Sequence, residues 1–240
     1  MGLTTSGDRV SLLGANTMVF GTDGIASGAV VSFGGGADMA TFSGAIGAAT
    51  IYGASGADSL VFGNTLSGTT ISGGDSNDVF SGSVTVGSAG VSFWSGVGND
   101  TFNFNSFTGT GSGTAYFWNE GGHDSIVFNS VVSGGSGASG NAAGVRFGIT
   151  SGSGLTISFL GDQTSASFGN GISNLFTVNN SLVSFGINSS NYITLQFVGG
   201  GGVTLQGFDA GEAAAITSTF GLAGGGTANF GTAASIPTFS

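Results

Sequence analysis

The sequence predicts an all-β protein, a right-handed parallel β-solenoid or β-roll of about 20-residue coils, and three observations lead there. Between Val30 and Asn129 one short phrase returns five times: GGGADMATF ending at Phe42, GASGADSLVF at Phe62, GGDSNDVF at Phe80, SGVGNDTFNF at Phe104 and NEGGHDSIVF at Phe128. The last Asp of each phrase falls at 38, 58, 78, 100 and 124, so the steps are 20, 20, 22 and 24 residues. After each Asp the apolar residues alternate, as in Leu60 and Phe62, the period of a strand with one face turned inward. A period of about 20 residues marks a solenoid, in which one coil cannot bury its apolar face without neighbours.

Composition agrees with a packed β-protein. The chain has 240 residues, 50 of them Gly, with a single proline and no three-residue glycine period, which excludes collagen. Hydrophobic residues make up 40% and Phe alone numbers 21, against the polar signature of unfolded chains. Charged residues are 6% of the chain, there is no Lys, and only Arg9 and Arg146 are cationic. A chain of net charge -10 offers phosphates no basic surface, so no nucleic-acid partner is expected. The absence of Cys excludes disulfides, cysteine nucleophiles and zinc–thiolate sites. No run of 18 apolar residues exists, so no membrane insertion is expected.

In chain order, residues 1–29 read as an N-terminal cap with strands near Val10 to Leu13 and Thr17 to Phe20. Asp8, in SGDRVSLLG, echoes the second repeat and reads as a degenerate coil; Asp23 reads as a turn residue. Residues 30–130 form the solenoid, each coil made of a short strand (VVSF, TIY, TIS, VSFW, AYFW), a glycine turn, the Asp and a second strand. The phenylalanines are expected to stack in ladders along its axis. Residues 131–144 are a Gly- and Ser-rich spacer at which the Asp ladder stops. Residues 145–240 form a further β region, either more coils or a small sandwich. One short helix is expected near 209–217, where Asp209 and Glu212 have capping-box spacing, and an apolar tail follows that is suited to pairing with a sheet edge.

The recurring carboxylates are the candidate site. Equivalent positions of stacked coils lie roughly 4.8 Å apart, and at that distance two carboxylates repel by about 3.5 kcal/mol at an effective dielectric of 20. With no lysine to neutralise them, the ladder is either fully solvated or binds cations, and hard oxygen donors beside glycine-turn carbonyls suit Ca²⁺. The competing reading is that each Asp closes its own turn through a side-chain to backbone bond. Asp75 and Glu120 are extra ligands or solvated turn residues, and His123 reads as a solvated side chain.

These turns resemble the calcium-binding nonapeptide of RTX, or haemolysin-type, proteins, GGxGxDxUx with U a large apolar residue. GASGADSLV, GGDSNDVFS and SGVGNDTFN match best; GGGADMATF and NEGGHDSIV match more loosely. The resemblance covers roughly 100 residues. It implies a parallel β-roll with Ca²⁺ held between stacked turns by Asp38, Asp58, Asp78, Asp100 and Asp124. The chain departs from the pattern in showing the signature once per coil and in a coil longer than the 18 residues of the family. The resemblance also implies export through a one-step (type I) route, without a cleaved N-terminal signal, to the extracellular space or cell surface.

No enzyme is expected. One His, two Arg and no Lys or Cys leave no catalytic triad and no cationic clamp, and the acids are periodic, which indicates architecture. The leading expectation is a self-assembling extracellular structural protein, a subunit of a filament, sheath or surface layer. Its partner is itself, because a solenoid has open sheet ends that other copies can pair. The alternative is a monomeric calcium-dependent adhesin or carbohydrate-binding module. An ice-binding threonine array ranks low, because Thr50, Thr69, Thr70 and Thr101 are not expected to hold one register.

Overall fold

Strands that bury alternate residues must find a partner face, and in the computed structural model of the chain each coil finds it in the coils before and after. The molecule is all-β, a solenoid of about five turns with coils about 22 residues apart. Residues 3, 5–109, 113 and 115–129 are described in full. Beyond them the structure describes the backbone of eight strands between Val145 and Phe230, with the side-chain burial of residues 155–157.

Successive passes contribute β1 (Arg9–Ser11) and β2 (Thr17–Phe20), then β3 (Val30–Ser32), β4 (Met39–Phe42) and β5 (Ile46–Gly47). Next come β6 (Thr50–Ser55), β7 (Ser59–Phe62) and β8 (Thr65–Ser67), then β9 (Thr69–Asp75) and β10 (Val79–Val86). The passes β11 (Val91–Val97) with β12 (Thr101–Gly109) and β13 (Ala115–Asn119) with β14 (His123–Phe128) complete the fully described part. All of these strands pair in parallel. One sheet runs β1-β3-β6-β9-β11-β13 and the other β2-β4-β7-β10-β12-β14, with β5 and β8 forming a side strip joined to β10. The expected N-terminal cap is therefore itself wound into the solenoid, since β1 pairs with β3 and β2 with β4.

The sheets continue past Asn129. β15 (Val145–Ile149) pairs in parallel with β13, β16 (Gly154–Phe159) with β14, and β17 (Phe176–Val178) with β15. Antiparallel strands then finish both sheets: β18 (Leu182–Ile187) and β19 (Ile193–Phe197) on β20 (Gly202–Gln206), and β22 (Thr227–Phe230) on β21 (Ser218–Leu222). Between coils and sandwich, the backbone pairing favours continued coils with antiparallel ends. The spacer at 131–144 and the helix expected at 209–217 lie outside the described residues.

The core is a set of phenylalanine ladders, as the alternation predicts. Phe20, Phe42 and Phe62 stack face to face at 4.8 and 5.2 Å, Phe80 on Phe102 at 4.5 Å, and Phe93 on Phe117 at 5.0 Å. Phe93 also presents its edge to Phe62, Phe80 and Phe102, which ties one sheet to the other. Burying each such side chain contributes about 1.5–3 kcal/mol. The lengthening of the coils resides in the turns and one bulge. Leu66 is opposite Val86 while Thr69 is opposite Val91, so the two extra residues of that pass lie in the turn between them. A bulge at Gly82/Ser83 absorbs an extra residue of β12. The four threonines do not hold one register, as expected: Thr50 lies opposite Thr70, but Thr69 lies opposite Val91 and Thr101 is on the other sheet, opposite Val79.

Phe93→Ala is expected to cost about 3–5 kcal/mol of stability, because it opens a void where five rings meet. A chemical-denaturation curve read by far-UV circular dichroism measures it.

Candidate functional site

The five predicted aspartates do come together. Asp38, Asp58, Asp78 and Asp100 immediately precede β4, β7, β10 and β12, Asp124 is the second residue of β14, and the five line one corner of the solenoid. They do not face water. Each is 1% exposed, so a solvated ladder is ruled out: with the following apolar residues alternating inward, the Asp shares the inward phase of residues such as Leu60 and Phe62.

Nor does each Asp close its own turn. Its Oδ1 accepts the backbone N–H of the Asp one coil earlier. Asp38 N donates to Asp58 at 2.8 Å, Asp58 N to Asp78 at 2.8 Å, Asp78 N to Asp100 at 2.7 Å and Asp100 N to Asp124 at 3.0 Å. Asn16 starts the series, donating its backbone N–H to Asp38 Oδ1 at 2.6 Å and its side-chain amide to the same atom at 2.9 Å. Asn16 thus occupies the Asp position of the first coil. Sequence reasoning missed it, although GANTMVF beside GADMATF carries the signal. Asp8, read as the degenerate coil's acid, instead accepts the N–H of Thr5 within a local turn. At the other end Leu155 lies opposite Asp124 and is buried, so the ladder ends where an apolar residue takes the position.

The second oxygen of each carboxylate is the unusual feature. Oδ2 of all five aspartates is buried without a hydrogen-bond partner. What lies beneath is set by the residue five positions earlier, which the register of the first sheet places in one column: Phe33, Gly53, Gly73, Ser95 and Asn119. A Cβ on Gly53 would overlap Asp58 Oδ2, and one on Gly73 would overlap Asp78 Oδ2. Glycine is required at those two positions because the carboxylate and a backbone carbonyl of the next coil, Gly73 O over Gly53 and Ser95 O over Gly73, both pack on the bare Cα. Ser95 and Asn119 bring oxygen atoms to the same column, both buried; the Ser95 hydroxyl donates to Gly96 O at 3.4 Å and is near enough to Asp100 and Asp124 to favour their charged forms.

Burial governs the electrostatics. Loss of hydration pushes Asp58 up to about 6 and Asp78 up to about 7 from 3.8, only partly offset by the backbone N–H each accepts, and neighbouring carboxylates push the same way. Asp100 rises to about 6 and Asp124 to about 7 for the same leading reason, with the Ser95 hydroxyl lowering both. The corner therefore favours a proton or another positive charge on the ladder.

Outside the buried aspartates runs a second ladder in the opposite sense. His123 N donates to Asn99 Oδ1 and Asn99 N to Asn77 Oδ1, both at 2.8 Å. His123 is exposed, and its Nε2 lies 2.9 Å from Thr156 Oγ1. Asp75 and Glu120 are exposed on their turns. Among the described residues no three His, Cys, Asp or Glu side chains gather as a metal-ligand group. The donors that suit a hard cation are therefore the partnerless Oδ2 atoms together with Ser95 and Asn119. Also among the described residues, no helix is long and apolar enough to cross a membrane. Comparison with family models, with curated proteins and with solved structures gives no match.

The pH dependence follows from the raised values. Between 3.8 and the folded-state values of about 6 to 7 the folded chain holds more protons than the unfolded one. The stability is therefore fully present below the unfolded value and is lost as pH rises through the folded values. In the absence of divalent ions, the denaturation midpoint is expected to fall between roughly pH 4 and roughly pH 7. Asp78→Asn, which keeps an acceptor oxygen for the Asp58 N–H and removes the charge, is expected to flatten that fall. A midpoint rising over the same range would contradict the assignment.

Proposed function

We propose that this chain is a self-assembling structural subunit of an extracellular filament, sheath or surface layer, in which solenoids stack end to end. The observation that carries this reading is the open N-terminal end. There the inward-facing Val10, Leu12 and Met18 are only half-buried, although their counterparts one coil on, Val31, Phe33 and Ala40, are buried. Leu13 beside them is 88% exposed. Among the described residues, β1 and β2 each have a strand on one side only, and the other end of each sheet's strand order is β22 and β18 respectively. One head-to-tail contact thus offers to continue both sheets at once through main-chain hydrogen bonds, and a heterologous contact that does not close propagates as a fibre. The role is architectural rather than catalytic.

Calcium enters this proposal as the charge that neutralises the ladder. Its support is the five buried, partnerless Oδ2 atoms in a chain without lysine. Asp100 and Asp124, with Ser95 and Asn119 in the adjoining column, would hold it best, because there the neighbouring side chains add oxygen where Gly53 and Gly73 add none. An ion bound there would supply positive charge in place of a proton and so favour folding at the millimolar calcium outside cells, in keeping with export to the cell surface. In the binding-module alternative the molecule works as a monomer.

Purified protein at micromolar concentration is expected to form fibres or sheets in electron micrographs and large species in light scattering. The double substitution Ser11→Lys with Leu13→Lys, which puts charge on the open end at two exposed positions, is expected to return it to monomer with its circular dichroism unchanged. A stable wild-type monomer would sink the assembly reading. Separately, millimolar calcium is expected to raise the melting temperature near pH 8 and a chelator to reverse it, with the effect lost in Asp100→Asn with Asp124→Asn. No calcium shift removes the metal and leaves the assembly test standing.

A further inference from the structure

Phenylalanine and the other aromatics part company in this fold. Every phenylalanine among residues with described side chains is buried. Trp94, Tyr116 and Trp118 instead lie half-exposed on the outer face of the first sheet, with Tyr52 two passes before Trp94 in the same column and 44% exposed. The register explains the gathering. Trp94 is opposite Trp118 and Ser92 is opposite Tyr116, so adjacent outward positions of β11 and β13 fill one patch. Trp94 and Trp118 have ring centroids 5.8 Å apart, Tyr116 stacks on Trp118 at 5.8 Å, and Trp94 meets Tyr116 at 6.5 Å.

The surroundings of the patch restrict what it can hold. Along the same two outward columns the earlier passes carry Thr50 and Thr70 on one and Ser32 and Ser72 on the other, with Ser92 beside Trp94. These are uncharged hydroxyl groups. Arg9 heads the column of Thr50 and Thr70 but lies four strands from Trp94 and five from Trp118, and Arg146 follows Tyr116 in register. The exposed acids of this sheet, Asp75 and Glu120, sit at its turn edge. A net charge of -10 repels polyanions, nucleic acids and acidic polysaccharides alike. Indole and phenol rings present an apolar face together with a polar handle, which matches the apolar face and hydroxyl rim of a sugar ring. The rise between passes, roughly 4.8 Å, is close to the length of one such ring.

We propose that Trp94, Tyr116 and Trp118 form a stacking platform for an extended neutral polysaccharide lying along the solenoid axis, its hydroxyls meeting Thr70, Ser72 and Ser92. The platform is on the side of the solenoid and the assembly contact at its ends, so the two readings fail separately.

Trp94 and Trp118 are the only tryptophans in the chain, so intrinsic tryptophan fluorescence reports this patch alone. Titration of the full chain with cellohexaose, chitohexaose and laminarihexaose is expected to give a saturable spectral shift with at least one of them. Calorimetry with that sugar is expected to show affinity reduced about tenfold or more in Trp118→Ala, with circular dichroism unchanged, and partly restored in Trp118→Phe. No saturable change with any of the three sugars overturns the proposal. So does equal affinity in Trp94→Ala with Trp118→Ala. A shift that follows protein concentration without sugar also overturns it, because a second copy then covers the patch.

Discussion

The hydrogen bond from one coil's backbone N–H to the next coil's aspartate Oδ1 is the constraint on which the corner of this solenoid depends. It joins consecutive passes at the point where the chain leaves the first sheet and enters the second, the place where ladder pairing alone gives the least support. A carboxylate accepting from a backbone N–H makes a stronger bond than a neutral acceptor, and repeating it on every coil holds both sheets in one register. The consequence is a buried second oxygen on each Asp, tolerated because the column beneath it carries Gly, Ser or Asn on four of the five coils. Stability and charge are thereby coupled: the residues that order the winding are also those most sensitive to proton and cation concentration.

The rest of the coil divides its tasks by position. Inward strand positions hold phenylalanine, and ring stacking along the axis adds about 0.5–1.5 kcal/mol per pair beyond burial. Turn positions, with one bulge in β12, absorb the growth of the coil from 20 to 24 residues, since turns lie at the surface and lengthen at small cost. Outward positions are left free of core duty, and there Tyr52, Trp94, Tyr116, Trp118 and hydroxyl residues gather. The N-terminal end is the exception, where inward residues Val10, Leu12 and Met18 lack a preceding coil.

Much of this was legible in the sequence. The period gave the winding, the alternation gave the inward face, and the spacing of Asp38, Asp58, Asp78, Asp100 and Asp124 gave one line of carboxylates. These are local or strictly periodic signals, and a solenoid repeats its local structure without rearrangement. The direction in which the carboxylates point was not legible, because an Asp after a glycine turn faces water or core according to the phase of the strand it begins. The role of Asn16 was hidden for a related reason: only the partner coil shows that an amide substitutes for an acid.

What the sequence determined by itself was the class of fold and which residues recur together, because periodicity is a property of the chain. What only the tertiary structure decided was everything that depends on a neighbouring coil. That includes the pairing of Gly53 and Gly73 with carboxylates five residues on, the meeting of Trp94 with Trp118, and the half-buried end at Val10 and Met18. Their physical reason is common to all three: contact across coils is fixed by register, and register is set by how many residues each turn consumes, which only the folded winding shows.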